Sequence, residues 1–177
     1  MVQPKPNYYP TLVYPEKDQF GDNVERLKWR TKQNLDYIYM WLQALKAQPR
    51  YFLQLEDDLE IAEDYFRKML SKIDFQNTKN SAEWKVLEFS NQGFIGKLFE
   101  YHTLLELTIS TVLQFRDKPC DWILAQFLTN KYCSPDMTAV KCRVQLKKYA
   151  RERLKNRENV QKKTHLYVAF FTFLQIQ

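Results

Sequence analysis

An α/β fold, a mixed sheet flanked by helices, is what this sequence predicts, and two observations carry the expectation. Short apolar runs of strand length alternate with longer stretches in which apolar residues return every three or four positions. They follow one another as helix, strand, acidic turn, helix, strand, the alternation of a sheet layered with helices. The chain has 177 residues, about one domain's worth. At 45% hydrophobic and 15% aromatic it can bury a core and is far from the composition of a disordered chain.

Residues 1–20 hold Pro4, Pro6, Pro10 and Pro15 among tyrosines and read as an irregular lead-in. From Trp29 the pattern turns helical: Leu35, Ile38, Tyr39, Leu42 and Leu45 share one face. Gln48-Pro49 ends that helix, because a residue before proline is pushed out of helical geometry. Tyr51-Phe52-Leu53-Gln54-Leu55 is a short apolar run like a buried strand, and it stops at Glu56-Asp57-Asp58. A second helical stretch over roughly 63–72 pairs Tyr65 and Phe66 with Met69 and Leu70. Trp84 to Phe89 is the second strand candidate, and Ser90 to Lys97 a loop or short hairpin with two of the glycines. Leu104 to Phe115 reads as a helix broken at Lys118-Pro119. Ile123, Leu124, Phe127 and Leu128 form another, opened by Pro119-Cys120-Asp121. The sheet is therefore thin, two or three strands, and no internal repeat is visible.

Composition excludes several functions. Mean hydropathy is −0.57, and no apolar run reaches the roughly 18–20 residues that span a bilayer; the longest, Leu166 to Leu174, is about half that. The N-terminal MVQPKPNYYP is no signal peptide. Three glycines, at 21, 93 and 96, rule out the G-x-G-x-x-G and P-loop phosphate cradles, whose backbones need glycines to approach a phosphate. The net charge of +6 suggests a nucleic-acid or membrane partner, but its source is local. Residues 141–163 hold ten Lys/Arg and two Glu, whereas the other 154 residues carry 17 basic and 19 acidic side chains. Two readings of the basic segment stand: a helix for nucleic acid or anionic lipid, or a solvated helix. The prediction is the second, with no nucleic-acid partner. Cys120, Cys133 and Cys142 form no C-x-x-C pair and are too few for a structural zinc. Cys133 and Cys142 suit a short disulfide loop in a lumenal chain and two thiols in a cytosolic one.

Gln54 to Asp64 carries the chemistry. It has six carboxylates (Glu56, Asp57, Asp58, Glu60, Glu63, Asp64) and no basic residue. Three successive carboxylates after an apolar strand repel one another, so something must offset the cost. Ligands of open α/β sheets sit beyond the carboxyl ends of strands, and hard divalent cations take oxygen ligands, often one or two carboxylates plus substrate phosphates. Alternate residues of an extended segment point the same way, which would turn Glu56 and Asp58 to one ligand. A solvated acidic turn leading into an acidic helix start accounts for the same residues. The D-x-D-x-D-G pattern of an EF-hand is absent.

The blocks WRTKQNLDY (29–37), YFLQLEDDLE (51–60), SAEWKVLEFSNQGFIGKLFE (81–100) and DKPCDWILAQFL (117–128) closely resemble, in order and spacing, the α-1,3-mannosyl-glycoprotein β-1,4-N-acetylglucosaminyltransferases (N-acetylglucosaminyltransferase IV). The likeness covers roughly residues 5–145. It implies a GT-A-type nucleotide-sugar transferase core and inverting transfer of GlcNAc from UDP-GlcNAc, in β-1,4 linkage, to the α-1,3-linked mannose of N-glycans, with Mn²⁺. The acceptor would be an N-glycan on a glycoprotein. The location implied is the Golgi lumen, with a type II membrane anchor in the full-length protein. By the resemblance Asp58 is the metal ligand, and Glu56 and Asp57 touch the ribose or sugar hydroxyls of the donor. A divalent cation would neutralise charge on the departing UDP.

An inverting displacement also needs a base for the acceptor hydroxyl's proton. Asp121 of Lys118-Pro119-Cys120-Asp121-Trp122 is the candidate, with a helix cap as the structural alternative. Arg30, Lys32 and Gln33, placed near the start of the first helix, are candidate contacts to uridine or diphosphate, or ordinary solvated surface. Gly93-Phe94-Ile95-Gly96-Lys97 is a candidate shaper of the sugar pocket, with Phe94 and Lys97 its side chains, or a plain tight turn. Trp84 and Trp122 read as core rather than sugar platforms. His102 and His165 have no partner arrangement.

The expected layout is a lead-in at 1–20, a partial GT-A domain at 21–142, and a divergent, basic, helical tail at 143–177. Family members begin with an anchor, a stem and the first strands of the nucleotide fold, and beyond the position of Cys142 they carry an acceptor-side motif and a lectin-like domain. The expectation is thus a fragment of the enzyme; the alternative is a catalytically inactive relative acting as a binding or regulatory protein.

Overall fold

The structure is a computed structural model that describes residues 4–56, 59–61, 63–79, 84–90, 93–149 and 166–171. Helix α1 (Val24–Lys46) opens it and strand β1 (Tyr51–Glu56) follows. Then come α2 (Tyr65–Lys79), β2 (Val86–Glu88), β3 (Lys97–Glu100), α3 (Tyr101–Gln114), α4 (Cys120–Tyr132), α5 (Ala139–Tyr149) and β4 (Leu166–Phe171). The strands form one mixed sheet in the order β2-β3-β1-β4. β3 is antiparallel to both β1 and β2, while β4 is parallel to β1. The mixed α/β architecture is the one expected. The tail is not purely helical, however. LYVAFF at 166–171 is rich in aromatic and β-branched residues, which suit a pleated surface better than a helix, and it pairs along the whole of β1.

Side-chain alternation along the strands sorts the core into two layers. Phe52, Phe99 and Val86, partners in register, face α1, α3 and α4, where they meet Tyr37, Trp41, Phe94, Leu104, Leu107, Cys120 and Leu124. Tyr51, Leu53, Leu55, Leu98 and Leu87 face the other way, onto Met69 and Ile73 of α2 and onto Trp84. Gln54 is a fully buried polar residue on the α1 side. It accepts from Trp41 Nε1 at 3.3 Å and donates to the Leu55 carbonyl at 2.9 Å, which meets the requirement that buried polar groups be partnered.

The β2–β3 hairpin turns through Gly96, whose φ of +63° is left-handed. A Cβ there would stand 3.2 Å from both Cβ and N of Ser90. The Gly96 N–H donates to the Gln54 carbonyl and its own carbonyl accepts from Phe89, each at 2.8 Å. This one residue therefore ties the hairpin to β1.

α1 starts at Val24, earlier than the apolar pattern suggests. Asn23 caps it by accepting the Arg26 N–H at 3.0 Å, and Glu25 occupies its first turn. The lead-in is pinned rather than loose. Tyr8 donates to the Leu35 carbonyl at 3.0 Å, Tyr9 to Asp36, and Arg116 to the Val13 carbonyl at 2.9 Å. No helix among the described residues is long and apolar enough to cross a membrane.

Candidate functional site

Two element ends meet over one side chain. Tyr37, in α1 and 1% exposed, is held by stacking on Trp41 (5.6 Å, 17°) and by the tilted ring of Phe94 (5.3 Å). Its hydroxyl donates to Oε1 of Glu56, the last residue of β1, at 3.2 Å. Burial pushes the Tyr37 phenol far above its ordinary value. The neighbouring Cys120 and Glu56, the Glu56 hydrogen bond and the charge of Asp121 push it further. Tyr37 thus keeps its proton and acts as donor at any physiological pH. The carboxyl end of β1 meets it through Glu56, and the first turn of α4 packs in the same cluster through Cys120.

Asp121 is exposed in that first turn. The N-cap of α4 is Pro119, without a side-chain cap, and Asp121 accepts a local bond from the Trp122 N–H at 3.0 Å. It is not the capping residue, although a carboxylate in a first turn is favoured by the helix dipole. Cys120 is buried in the cluster that holds Tyr37, and its thiol is pushed well up by burial and then by the Asp121 charge. The core face of α4 is Cys120, Ile123, Leu124 and Leu128, which turns Asp121 and Trp122 outward. Trp122 is therefore not core: it is 49% exposed and packs edge-on against Phe20 at 5.2 Å. Trp84 is core, stacked on Tyr51 at 5.4 Å with its Nε1 donating to Asn77 at 2.9 Å.

Glu56 is half-buried at the strand end; Asp57 and Asp58 lie outside the described residues. Arg30, Lys32 and Gln33 are six to nine residues into α1, so the helix N-terminus is not what they offer a ligand. The Arg30 guanidinium is 2% exposed and engaged inside the fold. It donates to Asp22 at 2.7 Å, to Asp18 at 2.8 Å, and to the carbonyls of Arg116 and Asp117 at 3.2 and 3.3 Å. Neither reading of the sequence, donor contact or solvated surface, anticipates that burial. Lys32 is at the surface, paired with Asp36 at 2.7 Å and lying 5.3 Å from the Tyr9 ring centre. Phe94 belongs to the aromatic core rather than to an open pocket wall. Lys97 is buried, donating to the Ser90 carbonyl at 2.9 Å with Glu88 at 3.7 Å. Cys133 and Cys142 are joined by a disulfide.

Of the candidates, Glu56 and Phe94 contact Tyr37, and Asp121 follows Cys120 of the same cluster; Gln33 lies one turn before Tyr37 on α1, and Arg30, Lys32 and Lys97 engage other partners. Sequence reasoning missed Tyr37, which is not among the apolar positions its spacing picked out, and Asn34, although both are buried in α1. The fully buried Asn34 side chain donates at 2.8 Å to both the Phe115 and Lys118 carbonyls. With Arg30 it fixes the loop that delivers Asp121, so two polar positions of the 29–37 block hold the 117–128 block in place.

Fold and site define a mixed α/β domain that presents carboxylates at the end of a central strand and the start of a neighbouring helix. Comparison with known proteins then gives the family. The model of the MGAT4 conserved region matches residues 1–164, and the chain belongs to that family. It is 39% identical over 142 residues to alpha-1,3-mannosyl-glycoprotein 4-beta-N-acetylglucosaminyltransferase A of Bos taurus, and equally to that of Rattus norvegicus, covering 80% of this chain and 26% of each relative. To the B form of Danio rerio it is 38% identical over 142 residues, 80% of this chain and 25% of the relative. The chain spans about a quarter of the length of these curated relatives. No solved structure matches it.

Proposed function

We propose that this protein works as an inverting glycosyltransferase of GT-A type, moving GlcNAc from UDP-GlcNAc in β-1,4 linkage to the α-1,3-linked mannose of glycoprotein N-glycans in the Golgi lumen. The names of its relatives support the transferase class, and the Cys133–Cys142 disulfide accords with an oxidising, lumenal compartment. The observation that carries the proposal is the Glu56 carboxylate held by the Tyr37 hydroxyl at the end of β1, with Cys120, the residue before the exposed Asp121, packed into the same core cluster as Tyr37. This arrangement offers a carboxylate suited to sugar hydroxyls at a strand end and an exposed one, suited to take a proton, at the start of a helix anchored in the same cluster.

In the reaction an acceptor hydroxyl oxygen bonds to the anomeric carbon of GlcNAc as the bond to UDP breaks, inverting that centre, and the hydroxyl proton passes to the Asp121 carboxylate. Asp121 meets the need for a base open to an incoming acceptor. Glu56 and Asp57 hold donor hydroxyls. The run Glu56-Asp57-Asp58 offers oxygen donors only, which fits a hard divalent cation. Asp58 would hold Mn²⁺, which when bound supplies charge neutralisation for the departing diphosphate.

The test is GlcNAc transfer from UDP-GlcNAc to a biantennary N-glycan, with and without Mn²⁺. Transfer that needs the cation is expected. No transfer, together with no Mn²⁺-dependent UDP binding, would leave a binding or regulatory relative in its place.

A further inference from the structure

We propose that Tyr37 is the positioning residue of this site, holding the Glu56 carboxylate in one rotamer so that donor and base stand at a fixed separation; the proposal rests on the transferase reading above. Tyr37 itself is too deeply buried to touch a sugar, at 1% exposure. Its ring is locked by Trp41 at 5.6 Å and Phe94 at 5.3 Å, and Phe94 is stacked in turn on Phe99 of β3 at 6.0 Å. A ring fixed on that scale fixes its hydroxyl, and the hydroxyl lies 3.2 Å from Glu56 Oε1. Glu56 is the last residue of β1 and half-buried there. The same aromatic cluster contains Cys120, the residue before Asp121. One rigid group thus references both carboxylates. Supporting contacts of this kind matter because catalytic geometry tolerates only about 0.5 Å of error, and small misplacements are costly in rate.

The phenol and a phenylalanine share ring shape, so Tyr37→Phe keeps the stacks and removes the hydroxyl that donates to Glu56. In the full-length protein, donor KM and kcat are measured for wild type, Y37F, E56A, E56Q, Y37F/E56A and Y37F/E56Q. Loss of one hydrogen bond predicts a rise of about three- to tenfold in donor KM for Y37F. The rise should vanish in the E56A background, where the acceptor is gone, and persist in E56Q, whose amide oxygen still accepts. A merely structural role would lower thermal stability and act alike in all three backgrounds. Wild type that transfers no GlcNAc overturns the transferase reading and this proposal with it. Wild type that transfers while Y37F matches it, or a Y37F effect that is equal in E56A and E56Q, overturns this proposal alone. Should Y37F fail to fold, the E56A and E56Q singles still decide. A bond that positions Glu56 requires E56Q to keep a lower donor KM than E56A, and equal values refute it.

Discussion

Replacing Asn34 by alanine probes the hold of α1 on the loop before Asp121. The amide spans two carbonyls, those of Phe115 and Lys118, at 2.8 Å each, and is fully buried. Truncation strands both acceptors and opens a small void. At about 1–3 kcal/mol for each buried group left unsatisfied, the loss should be about 3 kcal/mol. For a chain of this size that is a fall in Tm of roughly 6–12 °C. Asn34→Asp is expected to be worse than alanine, because it sets a carboxylate against two carbonyls with no donor between them. Equilibrium urea unfolding of wild type and both variants gives the free energies, with an unchanged slope certifying that the same transition is compared. A loss below about 1 kcal/mol in N34A, or N34D as stable as N34A, would refute the claim that Asn34 fixes residues 115–118.

Further outcomes follow from the same geometry. Arg30→Met should lower the urea midpoint more than Arg30→Lys, since lysine keeps the charge but not the planar fork that meets Asp18, Asp22 and two carbonyls; equal midpoints would place Arg30 at the surface. Burial pulls the Asp18 carboxyl up, but hydrogen bonds from Arg30, Asp22 and Phe20 and the Arg30 charge bring it below its ordinary 3.8. Its contribution to stability is then present above that pH and is lost as pH falls through 3.8 toward the lower folded value. Acid unfolding of Asp18→Asn should lack that component, and identical acid profiles would contradict it. Gly96→Ala should cost about 1–2 kcal/mol in thermal unfolding, from the left-handed backbone and the close approach of Ser90. Reducing the bond between Cys133 and Cys142, nine residues apart, should cost about 2.7 kcal/mol by loop entropy, read as a Tm difference between wild type and Cys133→Ser.

Local features were legible in the sequence. The helical period of α1, the strand at Tyr51, the break at Pro49 and the helix opened by Pro119 all depend on neighbours within a few positions; which face of α1 is buried does not, for Leu42 is exposed while Tyr37, Trp41 and Ala44 join Ile38 and Leu45 in the core. What stayed hidden depends on distant partners. β3 is only four residues, Lys97–Glu100, and exists because it pairs with β1 and β2. β4 likewise draws its place from β1, more than a hundred residues earlier. The start of α1 was hidden because Asn23 and Glu25 signal by capping rather than by apolar period. Arg30 reads as a surface cation until Asp18 and Asp22 fold over it. Tyr37 looks like one more core aromatic, and nothing in its spacing reveals that its hydroxyl ends at Glu56. The sequence did mark Glu56 and Asp121 as chemical; their common neighbour was a fact of the fold.

The most direct measurement is steady-state GlcNAc transfer by the full-length protein carrying Asp121→Asn, run beside Mn²⁺-dependent UDP binding. Loss of the base should lower kcat by about 10²–10⁴ while UDP and Mn²⁺ bind as in wild type. A variant that keeps wild-type kcat would remove Asp121 from the chemistry and contradict the account of the site.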